Sequence, residues 1–346
     1  MNKREIHLDV IRIVACLAVI LFHYNVYLLY ADPKVARIGE ISYLHQTVGD
    51  IAISLFIILS GFALTISQGK VTDNFSYLDF YKRRFLGIFP SFWISYLIVA
   101  AVFLLVGQSF GDGQWWKLLL SLIGLDGFFL YRMQNYYLVG EWYTGYMLIT
   151  YLLYPFLKKL FDKTPLYCWL IVLAIFISLN AVYDKLFDVY INCNPIMRMP
   201  EILFGITFAT YIINNRSNEI WLSIISLFVL VFSSYLYNVL PPQLYMLVIG
   251  VSIFSIMSLL FSFIRYNDIF SNFIVKISSL TFLAFLFHHQ IIYAVFRIFD
   301  YRSLDYQQKV ALLVFCVLAS FYVAKEVAPL VNSFTRLLKS KMLKNS

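Results

Sequence analysis

Apolar runs of about 20 residues, separated by short polar segments, recur along the whole chain. Because the hydrocarbon core of a bilayer is about 30 Å thick, a helix of this length can cross it while satisfying its own backbone hydrogen bonds. The pattern predicts an all-α, polytopic integral membrane protein with about ten transmembrane helices in one bundle. The predicted spans are 8–29, 46–67, 86–106, 137–157, 166–183, 195–213, 219–238, 243–264, 277–298 and 308–332.

The longest connection, residues 108–136, contains a short apolar run from Leu118 to Gly124. This run is too short to cross a membrane, so we expect a re-entrant or interfacial segment. No other connection is long enough to fold separately. The sequence therefore predicts a single transmembrane domain over residues 1–346, with a short basic cytoplasmic tail from about residue 333.

Composition excludes a soluble globule and argues against a nucleic-acid partner. The chain is 61% hydrophobic and 13% charged, whereas soluble domains carry about 25% charged residues. The formal net charge of +8 comes from basic residues in alternate short loops, as expected of a chain oriented in a lipid bilayer. The four cysteines form no CxxC pair, so no structural metal is expected.

The distribution of basic residues predicts the orientation. With ten spans, about 16 basic residues fall on the side that holds both termini, against about seven on the other. Basic loops usually stay in the cytoplasm, so both termini are predicted to be cytoplasmic. Frequent Lys, Asn, Ile and Phe with few Arg indicate a low-GC bacterium, so we expect a multi-pass protein of the bacterial cytoplasmic membrane.

The first span carries Asp9, Arg12 and His23, which are charged or titratable near neutral pH, in a mainly apolar helix. Ionisable groups inside a membrane are costly and usually face a bundle interior at a functional site. Eleven residues come within about 20° of three full turns, so Arg12 and His23 lie on the same helix face, about 16 Å apart. One end of this face offers a cation, and the other offers a base.

Further polar residues lie at similar depths in other predicted spans. Ser60 lies near the cytoplasmic edge like Arg12, Glu201 falls at about the depth of His23, and His288 lies near the midplane. His288 and His289 are adjacent and point about 100° apart, so at most one is expected to face a site. Together these residues describe a polar path across the membrane.

Each candidate also has a structural interpretation. Asp9 and Arg12 are spaced i,i+3, so the alternative for them is an ion pair at a helix end, or an Arg12 that extends to the interface. Arg198 and Glu201 have the same spacing and are equally typical of a structural pair and of a binding pair. For His288, a structural role as a buried, hydrogen-bonded histidine is weighed equally with a catalytic role. The basic cluster that includes Arg83 and Arg84 is typical of a loop that sets topology, and it is also suited to an anionic cofactor.

The same positions resemble the motifs of the acyltransferase-3 family of membrane acyltransferases. Leu8-Asp9, then Arg12 and ten residues later His23, is similar to the opening motif of the family. The apolar run 49–62 ends in Ser-Gly-Phe as in the family, and 80–90 is similar to its basic loop that ends in Pro.

The resemblance continues through the rest of the chain. Three more segments match in order, namely Trp142 with Tyr151 and Pro155, the Arg-x-Pro-Glu segment 198–205, and 285–288, which ends in His288. Two positions depart from the family. Gly87 replaces a second Arg of the basic loop, and Met147 and Leu148 stand where an acidic residue often follows the middle Trp, with Glu141 directly before it.

The resemblance implies transfer of an acyl group, commonly acetyl from acetyl-CoA as co-substrate, to a hydroxyl of a glycan or lipid-linked sugar without a metal. In this hypothesis His23 is the general base, and Arg12 holds the CoA phosphate or the thioester carbonyl. Donor or acceptor contacts are expected from Asp9, Ser60, Arg83, Arg84, Arg198, Glu201 and His288, and either Glu201 or His288 would orient His23 or the acceptor.

Two alternative hypotheses for the function assign another role to the same polar path. A transporter or flippase of a lipid-linked sugar would move its substrate without bond chemistry. A glycan polymerase is the third hypothesis, although such enzymes tend to have long acidic or Arg-rich outer loops, and the longest outer loop here is mostly apolar.

Overall fold

The computed structural model describes residues 4–31, 34–35, 37–71, 75–111 and 114–344, and it is helical throughout, without a strand in these residues. The prediction of an all-α polytopic membrane protein is confirmed. The helices are α1 (Ile6–Ala31), α2 (Val48–Gln68), α3 (Tyr77–Leu105), α4 (Leu118–Leu122), α5 (Glu141–Lys163), α6 (Pro165–Leu186), α7 (Met199–Thr207), α8 (Arg216–Val231), α9 (Ser233–Val239), α10 (Pro242–Ser262), α11 (Asp268–Ile298) and α12 (Tyr306–Lys344).

Seven of these helices are long and apolar enough to cross a membrane, namely α1, α2, α3, α6, α10, α11 and α12. The helices α8 and α9 form an eighth candidate, bent by 74° at their junction. Length and apolarity therefore support seven or eight spans in the described residues, against the ten predicted. The other two predicted spans, 137–157 and 195–213, coincide with α5 and α7.

The helices α5 and α7 fall short of a simple span for different physical reasons. The last turns of α5 carry several charged residues, including a buried Lys158 whose Nζ lies 2.5 Å from Asp162 Oδ1. The helix α7 has nine residues and continues as a π-helical segment, Phe208–Ile212, which gives an apolar helix of only 14 residues.

The centre of the bundle is formed by α2, which packs against α1, α7 and α10, while α1 also packs against α11. The crossing of α2 and α7 is very close. A Cβ on Gly61 would lie 2.3 Å from the Ile202 carbonyl oxygen, and one on Gly205 would lie 2.2 Å from that of Ile58. Small residues allow such contacts between membrane helices.

The two ends of α1 mark the two faces of the bundle. We call them the Ile6 face, where α1 begins, and the Ala31 face, where it ends. The connection from α3 to α5 folds back along α3 at the Ala31 face, where Trp93 Nε1 donates to the Leu122 carbonyl and the Tyr96 hydroxyl to that of Tyr136. The short run that we predicted to be re-entrant or interfacial is thus α4, held beside α3. Within this connection, residues 112–113 lie outside the described residues.

Candidate active site

His23 is bound by a carboxylate from a distant part of the chain. Its Nε2 lies 3.0 Å from Glu141 Oε2, and both side chains are partly buried, with 13% and 14% of their surface exposed. His23 comes from the last third of α1, and Glu141 is the first residue of α5. A carboxylate on an imidazole fixes the orientation of the ring and stabilises its protonated form.

The other oxygen of Glu141 contacts a second histidine. His289 Nε2 is paired with Glu141 Oε1, and the His23 and His289 rings lie 4.2 Å apart between centroids. His288 completes the cluster, with its ring 5.1 Å from that of His23. His288 is fully buried, and its Nδ1 lies 2.5 Å from the Phe285 carbonyl oxygen.

The two adjacent histidines therefore have different surroundings. We expected at most one of them to face a site, and named His288. In the structure His289 contacts Glu141 and lines a cavity, whereas His288 supports the His23 ring from a buried position. Both rings lie within about one ring-to-ring contact of His23, at 5.1 and 4.2 Å between centroids, which a spacing argument on one helix does not capture.

The backbone that carries Glu141 adopts an unusual conformation. Glu141 has a φ of 45°, and Gly140 before it has a φ of 87°. A non-glycine residue in the left-handed region costs free energy and is often found at functional sites. Gly127 packs directly on this turn, because a Cβ there would lie 2.3 Å from the Glu141 carbonyl oxygen. The connection from α3 to α5 thus holds Glu141 in place.

At the Ile6 face, Asp9 lies within a network of basic and hydroxyl groups. Its Oδ1 accepts from Arg12 Nη1 at 3.0 Å and from Ser278 Oγ at 2.6 Å, and its Oδ2 accepts from Arg4 Nε at 2.6 Å. The pair between Asp9 and Arg12, predicted as one alternative, is present. It orients the Arg12 guanidinium, which also lines two cavities.

The first of these cavities has a volume of about 230 Å³ and contains several predicted residues in its wall. Arg12, Ser60 and Arg84 line it together with the rings of Tyr143 and Tyr151. A second cavity of about 650 Å³ shares Arg12 with the first and extends to Arg4, whose side chain is 52% exposed. A cationic, partly aromatic channel therefore leads inward from the Ile6 face.

The structure separates the two adjacent arginines of the basic cluster. Arg84 lines the smaller cavity, and its guanidinium lies 5.7 Å from the Phe80 ring centroid and 5.9 Å from that of Tyr151. Arg83 donates to Gln68 Oε1 at 2.7 Å in an exposed position, outside the wall of that cavity.

Two further cavities meet at His23 near the Ala31 face. Their volumes are about 580 and 480 Å³, and His23, Glu141 and Trp142 line both. Their walls include Tyr30 and Tyr131, whose side chains are 87% and 80% exposed, so that the cavities reach the surface.

A layer of buried aromatic side chains lies between the two groups of cavities. Tyr143 and Phe285 line the Arg12 cavity, and their rings meet edge to face with centroids 5.7 Å apart. The Phe285 ring also lies 5.5 Å from that of His288. One layer of side chains thus separates the cation at one end of the path from the histidine cluster at the other.

Arg198 and Glu201 form a buried ion pair away from these cavities. Arg198 Nε lies 2.5 Å from Glu201 Oε2, and both side chains are 2% exposed. Arg198 Nη2 also donates to Ser54 Oγ at 3.0 Å, which ties the start of α7 to α2. The structural interpretation of this pair therefore fits, and the carboxylate on His23 is Glu141 rather than Glu201.

The histidine cluster has donor groups that a metal ion could use. Ring nitrogens of His23, His288 and His289 lie within 4.8 Å of one another, and imidazole is a ligand that Zn²⁺ accepts. Glu141 already contacts two of these rings, whereas the buried Nε2 of His288 has no hydrogen-bond partner. The absence of a metal stays a prediction.

One further carboxyl group lies buried near the site, in the connection from α3 to α5. Asp126 is 1% exposed, and its Oδ1 accepts from the Gly127 backbone N–H at 2.9 Å, while its Oδ2 has no hydrogen-bond partner. Burial raises the pKa of Asp126 to about 7. Asp126 precedes Gly127, the residue that packs on Glu141.

Comparison with known proteins decides the family. A family model described as an acyltransferase domain, Acyl_transf_3, matches residues 5–324. The chain belongs to the acyltransferase-3 family. Together with its apolar helices, this makes it a membrane acyltransferase. No solved structure matches the chain.

Two curated proteins are similar to parts of this acyltransferase. An uncharacterized protein of Haemophilus influenzae is 28% identical over 194 residues, which cover 49% of this chain and 77% of that protein. Acyltransferase MdmB of Streptomyces mycarofaciens is 35% identical over 104 residues, which cover 30% of this chain and 25% of that protein. This second match thus spans a quarter of the Streptomyces protein.

Sequence reasoning missed Glu141 as the partner of His23 in this acyltransferase. The available signal was an acidic residue beside a glycine at the start of an apolar segment, directly before Trp142. The aromatic pair Tyr143 and Phe285 was also missed, because in an aromatic-rich chain neither residue stands out from those that face lipid.

Proposed function

We propose that this membrane acyltransferase transfers acetyl from acetyl-CoA to a hydroxyl of a cell-surface polysaccharide or lipid-linked sugar. The observation that carries the proposal is the geometry along α1. A cationic cavity at Arg12 leads inward from the Ile6 face, and a carboxylate-bound His23 lies where two cavities reach the Ala31 face. The Ile6 face would be cytoplasmic, with both termini, in the membrane of a bacterium.

The donor would bind from the Ile6 face. Arg12 and Arg84 suit the phosphates of CoA, because guanidinium groups bind phosphate with paired hydrogen bonds. Arg12 and His23 are about 16 Å apart along α1. This separation favours phosphate binding for Arg12 over contact with the reacting carbonyl, since the elongated donor would lie along the helix. Ser60 and the hydroxyls of Tyr143 and Tyr151 would line the path of the thioester.

The acceptor would enter from the Ala31 face and bring one hydroxyl to His23. In the reaction His23 takes the proton from this hydroxyl, and the oxygen forms a bond to the thioester carbonyl carbon. The C–S bond then breaks, and CoA leaves as a thiolate that takes up a proton. An imidazole suits this task because its ordinary pKa, about 6.5, lies near neutral pH.

Glu141 would hold the His23 ring and stabilise the imidazolium that forms. A carboxylate on a catalytic histidine has this role in acyl transfer on unrelated folds. His289 would compete for the same carboxylate or bind the acceptor, and His288 would fix the His23 ring by packing. Asp9 would act through Arg12 by orienting its guanidinium.

The test is transfer by purified protein in nanodiscs that is given acetyl-CoA labelled in the acetyl group and glycan from the host. The expected result is label in the glycan that alkali releases, as expected of an O-acetyl ester. A protein that labels no glycan with any acyl-CoA, yet moves a labelled lipid-linked sugar across a vesicle membrane, would contradict the proposal and favour transport.

A further inference from the structure

The site around His23 consists of two cavities rather than one. They have volumes of about 580 and 480 Å³, each within the range of about 300–1,000 Å³ that is usual for small-molecule sites. They share one wall, formed by Phe22, His23, Tyr131, Glu141 and Trp142. The imidazole of His23 therefore lies at the junction between two spaces, each large enough for a small molecule.

The two cavities are lined by different elements, and both walls are mainly apolar. The hydrogen-bonding groups of the first come from Thr47, Asp50, Tyr190 and Asn192, at the start of α2 and in the connection before α7. We call it the polar lobe. It suits an acceptor unit that presents several hydroxyl groups, because buried polar groups of a ligand require partners.

The second cavity is mainly aromatic. It is lined by Tyr27, Tyr30 and Tyr137, together with Leu130 and His289, from the end of α1, the connection from α3 to α5, and α11. We call it the aromatic lobe. Tyrosine rings bury apolar surface on their faces and offer a hydroxyl at one end, and this combination suits a ring that has apolar faces and polar edges.

Both lobes contain a residue at the surface. The side chains of Tyr30, in the aromatic lobe, and Tyr190, in the polar lobe, are 87% and 65% exposed. Each lobe therefore reaches the surface. A single sugar unit with its hydroxyl at His23 would leave the outer part of both lobes unfilled, whereas a chain of units would cross the junction and fill both.

We infer that the acceptor is an oligosaccharide chain of at least three units, bound with its central unit at His23 and one neighbour in each lobe. This inference rests on the proposed function and deepens it. The enzyme would then acetylate internal units of the chain rather than a free sugar or a terminal unit.

The experiment uses graded fragments of the host glycan, prepared by removing its acetyl groups with alkali and hydrolysing the chain partially. Fragments of one to four units are offered to the purified enzyme with acetyl-CoA. We expect kcat/KM to rise by about tenfold or more from one to three units, since tenfold corresponds to about 1.4 kcal/mol of added binding. Tandem mass spectrometry should locate the acetyl group on an internal unit.

Variants of the two lobes show whether both contribute. Tyr30→Ala and Tyr190→Ala should each lower the ratio of kcat/KM for three units to that for one unit. The matched control is Tyr235→Ala, because Tyr235 is 67% exposed and lies outside both cavity walls. This control should leave the ratio unchanged.

Two results would overturn the inference and leave the proposed function intact. One is equal kcat/KM for fragments of one and three units. The other is acetylation of terminal units only. A different result would end both proposals. If thermal unfolding shows that the enzyme is folded, yet neither the fragments nor the intact glycan are labelled, the proposed function fails, and this inference fails with it.

Discussion

His23 Nε2 lies 3.0 Å from Glu141 Oε2, although the two residues are separated by more than a hundred positions in the sequence. The pair is partly buried in the last third of α1, at the junction of two cavities. A carboxylate and imidazole that face an open cavity are suited to general base catalysis.

The first prediction concerns the carboxylate. Glu141→Gln keeps the shape of the side chain but removes the charge that stabilises the His23 imidazolium. We expect kcat for acetyl transfer to fall about 10²-fold or more, within the usual range of general acid–base contributions, with little change in KM for acetyl-CoA. The control is Glu326→Gln, at an exposed position of α12. An unchanged kcat in Glu141→Gln would exclude the assigned role.

The second prediction separates the two adjacent arginines. Arg84 lines the Arg12 cavity, whereas Arg83 is exposed and bonds to Gln68. Arg84→Ala should therefore raise KM for acetyl-CoA about tenfold, the equivalent of about 1.4 kcal/mol of lost binding. Arg83→Ala is the matched control and should change KM much less. The reverse order of effects would show that the donor does not use this cavity.

The third prediction concerns the glycine that supports Glu141. In Gly127→Ala the new Cβ would lie 2.3 Å from the Glu141 carbonyl oxygen, so that the turn has to move. We expect kcat to fall in protein that remains folded. Gly205→Ala is the control, because its Cβ would meet a backbone oxygen as closely, at the crossing of α2 and α7 rather than at the Glu141 turn. It should lower the midpoint of thermal unfolding and spare kcat. Equal kcat values for the two variants would contradict this account.

The fourth prediction concerns pH. Burial raises the pKa of Asp126 from an ordinary 3.8 to about 7, so the folded protein favours the neutral carboxyl. The contribution of Asp126 to stability is thus complete below pH about 4 and is lost progressively as pH rises to about 7. Over this range it amounts to about 4 kcal/mol, at about 1.36 kcal/mol for each unit of pKa.

Asp126→Asn removes this titration and keeps a similar shape. Its stability relative to the wild type should therefore increase from pH 5 to pH 8, by about 2–3 kcal/mol. Thermal unfolding in detergent at the two pH values measures the effect. A stability difference that is the same at pH 5 and pH 8 would show that Asp126 is already ionised in the folded protein at pH 5.

The relative placement of Arg12 and His23 could be predicted from the sequence, because both residues lie on a single helix. Helical spacing alone brings Arg12 and His23 to one face, and the structure has Arg12 and His23 in the walls of cavities at opposite ends of this face. The all-α membrane fold was equally accessible, since runs of apolar residues suffice to predict it.

The rest of the site depends on contacts between distant segments. Glu141 reaches His23 only because the α3 to α5 connection folds back and holds a strained turn at Gly140. By its depth in the membrane, Glu201 was a candidate for the residue that orients His23, but in the structure its carboxylate is paired with Arg198. Depth within a span does not reveal which way a side chain points. For the same reason, the choice between His288 and His289 required the packing of α11 on α1.

The most direct test of the central claim compares His23→Gln with His45→Gln in the acetyl transfer assay. Both changes replace a histidine by a neutral side chain, but His45 is exposed, stacks on Tyr237 and is not part of either cavity wall at His23. We predict that His23→Gln lowers kcat by at least about 10²-fold, while His45→Gln retains wild-type kcat. Transfer to glycan at the wild-type rate by folded His23→Gln protein would contradict the role of His23 as the general base.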